Sequence, residues 1–135
     1  MTTFLLRIIS QERELVNKSV QSVSVPGEHG ELTILANHTA ILTRLQMGEL
    51  RYTATGVENS MVISRGFLSA SHKNEVLIIA DTAIEAREIS VKKAQEAIDA
   101  AKRRILGSNK LEEQIQAEAS LRLAMLELKI AKRSI

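Results

Sequence analysis

Apolar residues follow two different periods along this chain. Up to about residue 82 they form short runs rich in β-branched side chains, separated by turn-prone pieces, which is typical of strands in an antiparallel sandwich or barrel. From Ser90 onward they recur every three or four residues, the spacing of one helix face. The first pattern predicts strands at 3–9, 19–25, 32–36, 40–45, 48–54, 60–64, 66–71 and 75–80.

Turn-prone pieces separate these predicted strands. They are Asn17-Lys18, Pro26-Gly27, 36–38, 55–59 and 72–74. Eight or so strands within about eighty residues leave no room for the dozen-residue crossovers that a parallel sheet needs. The sequence therefore predicts an all-β N-terminal sandwich of about eight to ten antiparallel strands over residues 1–86.

Residues 87–135 are predicted to form an antiparallel α-helical hairpin. Ser90 is a suitable N-cap for a first helix. Its apolar stripe consists of Val91, Ala94, Ala97, Ile98, Ala101 and Ile105. We expect Gly107 to end this helix in the left-handed C′ conformation. A second helix then runs from about Lys110 to Lys132, and the short connection makes the two helices antiparallel neighbours.

The second helix carries two apolar stripes roughly 180° apart at 100° per residue. One consists of Ala117, Leu121, Ala124, Leu128 and Ala131, and the other of Ala119, Leu123, Leu126 and Ile130. Only one stripe can pack on the first helix. The other is free for the sandwich or for another protein, or is a weak exposed Ala/Leu surface. Between the stripes lies a charged strip of Glu118, Arg122, Lys129 and Arg133.

The formal charge of +2 conceals a difference between the two parts. Residues 1–86 hold seven Lys/Arg and nine Asp/Glu, a net charge of −2, whereas residues 87–135 hold eleven and seven, a net charge of +4. A basic hairpin on a slightly acidic sandwich indicates an acidic partner surface for the hairpin. A solvated helical face explains the same charges equally well.

Motifs of catalysis and metal binding are missing from the sequence. There are no cysteines, and the three histidines lack metal-ligand spacing. No nucleophile elbow, P-loop or dinucleotide fingerprint occurs. Three aromatic residues offer little surface for nucleobases, so we expect no nucleic-acid partner. From the missing motifs we expect no catalytic residue, no metal and no cofactor. No run approaches the eighteen or so apolar residues of a membrane span, so we expect an aqueous compartment.

The most specific stretch is PGEHGELTILANHTAILTRLQMG, residues 26–48. It resembles the signature P-G-x-x-G-x-L-G-I-L-x-x-H-x-x-L-L-T-x-L-x-x-G of the epsilon subunit of rotary F-type ATP synthases. The matching positions are Pro26, Gly27, Gly30, Leu32, Ile34, Leu35, His38, Leu42, Thr43, Leu45 and Gly48. Thr33 and Ile41 are mild departures. Gly66-Phe67 and the run VLIIADTAIEA at 76–86 also resemble later pieces of that family.

This resemblance implies a non-catalytic subunit of the central stalk that links gamma to the c-ring and couples proton transport to ATP synthesis. One sandwich face would dock on gamma. Gly30, Glu31 and Leu32 would meet the c-ring, with His38 in a neighbouring turn. The subunit would be peripheral, on the cytoplasmic face of a bacterial inner membrane or on the stromal or matrix side of an organelle.

The resemblance also implies that the hairpin regulates ATP hydrolysis by changing between a compact form and a form extended into the catalytic head. The second-helix residues concerned would be Arg122, Leu123, Leu126, Lys129, Ile130, Lys132 and Arg133. A family ATP-binding pattern is degraded here. Ile89 and Ala94 match it, but Ser90 replaces an aspartate and Lys93 an arginine, so we expect no tight ATP binding.

A second hypothesis treats the chain as a stand-alone binding module. Its sandwich would present the basic hairpin to an acidic protein or to nucleic acid. The scarcity of aromatic residues and the acidic residues mixed through both helices weigh against nucleic acid.

Overall fold

A computed structural model describes residues 2–133 of the chain. The chain divides into two compact units between Glu85 and Ala86. Ten strands form the first unit, and two α-helices preceded by a short 3₁₀ helix form the second. The predicted fold class, a β-sandwich followed by a helical hairpin, is confirmed.

The ten strands belong to one continuous sheet. They are β1 Phe4–Ser10, β2 Glu14–Val20, β3 Ser22–Gly27, β4 Gly30–Leu35, β5 Ile41–Leu45, β6 Gly48–Ala54, β7 Val57–Ile63, β8 Gly66–Ser71, β9 Glu75–Ala80 and β10 Ala83–Glu85. Their order is β10-β7-β6-β3-β5-β8-β9-β1-β2, with β4 paired to β3. Strands β3 and β5 meet at the Gly27–Leu45 pair. We call the strands β4-β3-β6-β7-β10 the first layer and β5-β8-β9-β1-β2 the second layer.

Strand β1 departs from the expected antiparallel pairing. It lies between β2, which is antiparallel, and β9, which is parallel to it in the register Leu5–Glu75 through Ser10–Ala80. The argument against parallel pairs concerned local crossovers, whereas the chain between these two strands includes most of the sandwich. All other pairs are antiparallel among the residues that the structure describes.

Two strands were missed by the sequence pattern. Asn17-Lys18 was predicted as a turn, but both residues lie inside β2, and the chain turns at Gln21 instead. Strand β2 ends the sheet order, and an edge strand tolerates exposed polar residues on successive positions. Strand β10 has only three residues. The predicted turn at 55–59 is shorter, because β7 already begins at Val57.

The sandwich core is mainly aliphatic, with Phe4 and Tyr52 as its aromatic members. Its members alternate along the strands and come from both layers. The largest fully buried side chains of this core are Tyr52, Phe4, Leu6, Ile8, Ile34, Leu50, Met61, Ile63, Leu68, Ile78 and Val16. This cluster lies wholly within the first unit, so the sandwich has a core of its own.

The helical unit contains α1 Val91–Gly107 and α2 Leu111–Arg133, after a 3₁₀ helix at Ala86–Glu88. The Ser90 N-cap is confirmed, because its side chain accepts a hydrogen bond of 3.2 Å from the Lys93 N–H. The expectation for Gly107 is wrong. Gly107 is the last residue of α1, and Ser108, which is extended at φ −111 and ψ 137, ends the helix. A left-handed residue is not needed because Ser108 itself turns the chain and accepts a hydrogen bond from the Lys110 N–H at 3.2 Å.

Buried alanines seven residues apart mark the packing of the helices. They are Ala94 and Ala101 on α1 and Ala117, Ala124 and Ala131 on α2, and we call them the alanine seam. Small side chains at this spacing allow two helix backbones to approach closely. The second predicted stripe of α2 is not an open face: Ile130 is buried and Leu123 and Leu126 are partly buried, while Ala119 is exposed.

Candidate partner-binding surfaces

Four turns meet at one end of the sandwich, which we call the Gly30 end. Backbone hydrogen bonds join them in two pairs. Glu28 N–H to the Arg44 carbonyl at 3.0 Å and Gln46 N–H to the Pro26 carbonyl at 2.9 Å join the β3–β4 and β5–β6 turns. Ser64 N–H to the Thr82 carbonyl at 3.1 Å and Asp81 N–H to the Arg65 carbonyl at 2.9 Å join the β7–β8 and β9–β10 turns. Gly30 has φ +123, a conformation that favours glycine, and it begins β4 after a two-residue turn. This turn is exposed, as a contact site requires.

Glu31 lies at the Gly30 end but already has a cation. Its carboxylate is 2.6 Å from a guanidinium nitrogen of Arg51 on β6, and 60% of its side chain is exposed. Leu32 is partly buried beside it. An exposed ion pair contributes at most about 1 kcal/mol, so a partner can replace Arg51 at little cost.

His38 is not in a neighbouring turn. It follows the far end of β4, and a six-residue strand separates it from Gly30 by about 20 Å. Its ring meets that of Phe4 edge-on at 5.7 Å, and Nδ1 lies 3.2 Å from the Leu35 carbonyl oxygen. Because a carbonyl only accepts, we assign the proton to Nδ1. The buried Nε2 then has no donor within the described part of the chain, so His38 packs in the sandwich rather than lining the Gly30 end.

The two layers of the sandwich present different outer faces. In the first layer, directly paired residues give a polar row of Thr33, Ser24, Arg51 and Ser60. The equivalent row of the second layer is Arg44, Phe67, Ile79 and Ile9. Residues paired across strands share a face, so this row lies on one surface.

An apolar strip therefore crosses the outer face of the second layer. Its members are Leu42, which is 78% exposed, Phe67, 52%, and Ile79, 51%. Leu42 joins the row because it precedes Arg44 by two residues on β5. Three large apolar side chains grouped on adjacent strands exceed the scattered exposure that is normal for a soluble protein. Sequence reasoning missed this strip because apolar residues within strands were interpreted as core.

The helical residues predicted to be regulatory all lie on α2. Arg122, Lys129 and Lys132 are exposed, as is Arg133.

The two residues that match the ATP-binding pattern have structural positions instead. The Ile89 N–H donates to the Ala86 carbonyl at 3.2 Å, and Ala94 belongs to the alanine seam. The intervening Ser90 is engaged as the N-cap.

Glu127 on α2 is expected to make stability depend on pH. Partial burial raises the pKa of its carboxyl, because the charged form loses water. A pKa raised in the folded state gives stability that is complete below the unfolded pKa and is lost as the pH rises through the folded pKa. Glu127→Gln should therefore raise the thermal unfolding midpoint at about pH 7 and leave it unchanged at about pH 3, as measured by circular dichroism. Glu118→Gln, an exposed position on the same helix, is the control and should change neither midpoint.

Two other kinds of site were searched for in residues 2–133. No group of three or more His, Asp or Glu side chains there is arranged to hold a metal ion. No helix within that range is long and apolar enough to cross a membrane.

Comparisons with known proteins agree on one family. The family model described as ATP synthase, Delta/Epsilon chain, beta-sandwich domain matches residues 3–86. The ATP synthase epsilon chain of Herpetosiphon aurantiacus is 38% identical over 127 residues, covering 94% of this chain and 93% of that protein. The ATP synthase epsilon chain of Syntrophomonas wolfei is 32% identical over 135 residues, covering 99% and 98%.

Solved structures share the fold. A chain in the cryo-EM structure of the Euglena gracilis mitochondrial ATP synthase, OSCP/F1/c-ring in rotational state 1, superposes with a TM-score of 0.77 at 24% identity, covering 99% of this chain and 81% of that one. A chain in the Tetrahymena thermophila mitochondrial ATP synthase central stalk and c-ring gives 0.67 at 14% identity, covering 94% and 95%.

Proposed function

The chain belongs to the ATP synthase epsilon family, and from this premise we propose that it is a non-catalytic central-stalk subunit that joins gamma to the c-ring. The observation that carries the proposal is the apolar strip of Leu42, Phe67 and Ile79 on the second layer. Covering these side chains would remove large apolar surface from water, the main source of affinity in protein interfaces. The paired row on the outer face of the first layer is polar and offers less such gain.

Gamma is the partner that covers the apolar strip in this proposal. The Gly30 end, which adjoins one end of the strip at Arg44, is left to face the c-ring. There Glu31 exchanges its ion pair with Arg51 for basic groups of the ring loops. The subunit is then peripheral, held at the cytoplasmic face of a bacterial membrane, or at the matrix or stromal side of an organelle, only through the complex.

Holding gamma and the ring together gives this chain its part in coupling. Rotation of the ring, driven by protons, is transmitted to the catalytic head only if gamma and the ring stay fixed to each other. A sandwich with a continuous core and a closely hydrogen-bonded end suits such a joint, because packed interiors deform little.

The helical hairpin regulates hydrolysis in this proposal. Its alanine seam buries little area per residue, so a change of helix arrangement is less costly than in a leucine-packed hairpin. The exposed cations Arg122, Lys129 and Lys132 are then placed to meet acidic segments of the catalytic head when the hairpin extends. An allosteric device of this kind needs two states separated by a few kcal/mol.

Reconstitution of the catalytic head and gamma with the full chain or with residues 1–86 tests both parts of the proposal. The sandwich has its own core, so residues 1–86 should bind as tightly as the full chain. Removal of the hairpin should raise ATP hydrolysis by roughly 5-fold or more, the lower end of typical allosteric couplings. Bound fraction and phosphate release are the measurements.

Each failure has a separate meaning. Unchanged hydrolysis at every nucleotide concentration would remove the regulatory role and leave the stalk role intact. Absence of binding by either form, together with a salt-dependent shift of DNA by the full chain, would instead favour the stand-alone binding module.

A further inference from the structure

Arg44 lies at the β5 end of the apolar strip, beside Leu42 and Phe67, and has no anionic partner within the described residues. It pairs with Phe67 across β5 and β8, and its guanidinium carbon lies 5.9 Å from the centre of that ring. Within residues 2–133 its guanidinium makes no ion pair or side-chain hydrogen bond. Three other arginines of the sandwich are paired at 2.6–3.1 Å: Arg7 with Glu14, Arg51 with Glu31 and Arg65 with Asp81.

Two open clefts flank this guanidinium at the Gly30 end. One has a volume of about 330 Å³ and extends past Gln46 and Met47 to Ser64, with Glu28 at its side. The other, of about 300 Å³, extends past Phe67 to Asp81. Arg44 and Arg65 line both. Since Asp81 is occupied by Arg65 at 2.6 Å, the cleft beside it holds one cation with unused donors.

A partner that covers the apolar strip would also remove water from the guanidinium of Arg44. A guanidinium that loses water without gaining an acceptor is strongly unfavourable. The ring of Phe67 lies within cation–π distance of the guanidinium, and arginine's planar set of five N–H donors matches a carboxylate. The surface that covers the strip must therefore bring an anionic group to this point.

We propose that Arg44, supported by Phe67, is a specificity-determining residue that binds an aspartate or glutamate carboxylate of the subunit covering the apolar strip. The inference rests on the proposed function, because that function supplies the covering subunit. It goes further by giving the partner a required charge at one place. The family signature leaves the position of Arg44 open, so the signature itself does not imply this contact.

The test measures the affinity of the full chain for the catalytic head with gamma, prepared without this chain. Arg44→Gln is expected to weaken binding by about 30-fold or more, the lower end of the cost of truncating one partner of a buried charge pair. Raising the salt concentration should reduce wild-type affinity more than that of the variant. Lys73→Gln is the matched control. It removes one positive charge from an exposed turn near His38, at the end of the sandwich opposite the Gly30 end. Its affinity should stay within about twofold of wild type.

Three results would overturn the inference. Equal binding of Arg44→Gln and wild type would do so while the stalk proposal stands, because the wild-type chain still binds. An equal loss in both variants would show general charge attraction instead of a specific contact. If the wild-type chain does not bind at all, the stalk proposal fails first and Arg44 has no partner. Arg44 is exposed, so an unchanged thermal midpoint is expected and shows that the variant is folded.

Discussion

Replacing Gly66 with alanine is expected to lower the free energy of unfolding of the sandwich by about 3 kcal/mol. A Cβ at this position would lie 2.1 Å from the Ile79 carbonyl oxygen and 2.9 Å from the Ala80 Cα. Both are backbone atoms of β9, which is paired with β8 at Gly66–Ala80. Neither can move aside without separating β8 from β9, so the strain has no cheap relief. Urea denaturation followed by far-UV circular dichroism measures the loss.

Gly107→Ala is the matched control for this prediction. It adds the same methyl group at the end of α1, where no atom lies within 4 Å. Alanine is the better helix former by up to about 1 kcal/mol, so stability should stay the same or rise slightly. Identical urea midpoints for Gly66→Ala and wild type would mean that β8 and β9 are not packed as the structure shows.

The double substitution Leu42→Ser with Ile79→Ser is expected to weaken binding to the gamma-containing catalytic head by about 100-fold or more. Each full burial of a large aliphatic side chain stabilises an interface by about 1.5–3 kcal/mol, and serine forgoes most of that. Both side chains point outward and lie outside the core, so the sandwich should remain folded. Titration by fluorescence anisotropy or calorimetry gives the affinities.

Leu35→Ser with Val57→Ser provides the control for the apolar strip. Both residues are 60% exposed, but they lie on strands of the first layer. This variant should bind like wild type. If the two double variants bound equally well, the strip would not be the docking surface, whatever the role of the Gly30 end.

The sequence predicted the positions of the strands and helices better than it predicted which strands pair. Strong period-two runs located eight strands, and the change of period located both helices, because these patterns are local. Strand β2 was missed because Asn17-Lys18 was interpreted as a turn, although an edge strand accommodates such residues. Parallel pairing of β1 with β9 depends on contacts seventy positions apart, which no local pattern encodes.

The sequence also predicted some of the candidate contact residues correctly and misplaced others. The resemblance to the epsilon family is confirmed, and Gly30 and Glu31 do occupy an exposed end of the sandwich. His38 was misplaced because sequence proximity to Gly30 hides the length of the strand between them. The apolar strip was invisible in the run VLIIA of β9, where Ile78 is buried and Ile79 is exposed. Only the pairing of the strands shows which side of β9 faces the core and which faces solvent.

The position of β1 between β2 and β9 delays the completion of its pairing during synthesis. Phe4–Ser10 are made before the other strands of the sandwich, yet one whole side of this strand stays unpaired until Glu75–Ala80 have been made. Every earlier fragment exposes a strand edge rich in isoleucine and leucine, a template for wrong pairing. The nascent chain is therefore expected to be most prone to wrong pairing before β9 emerges.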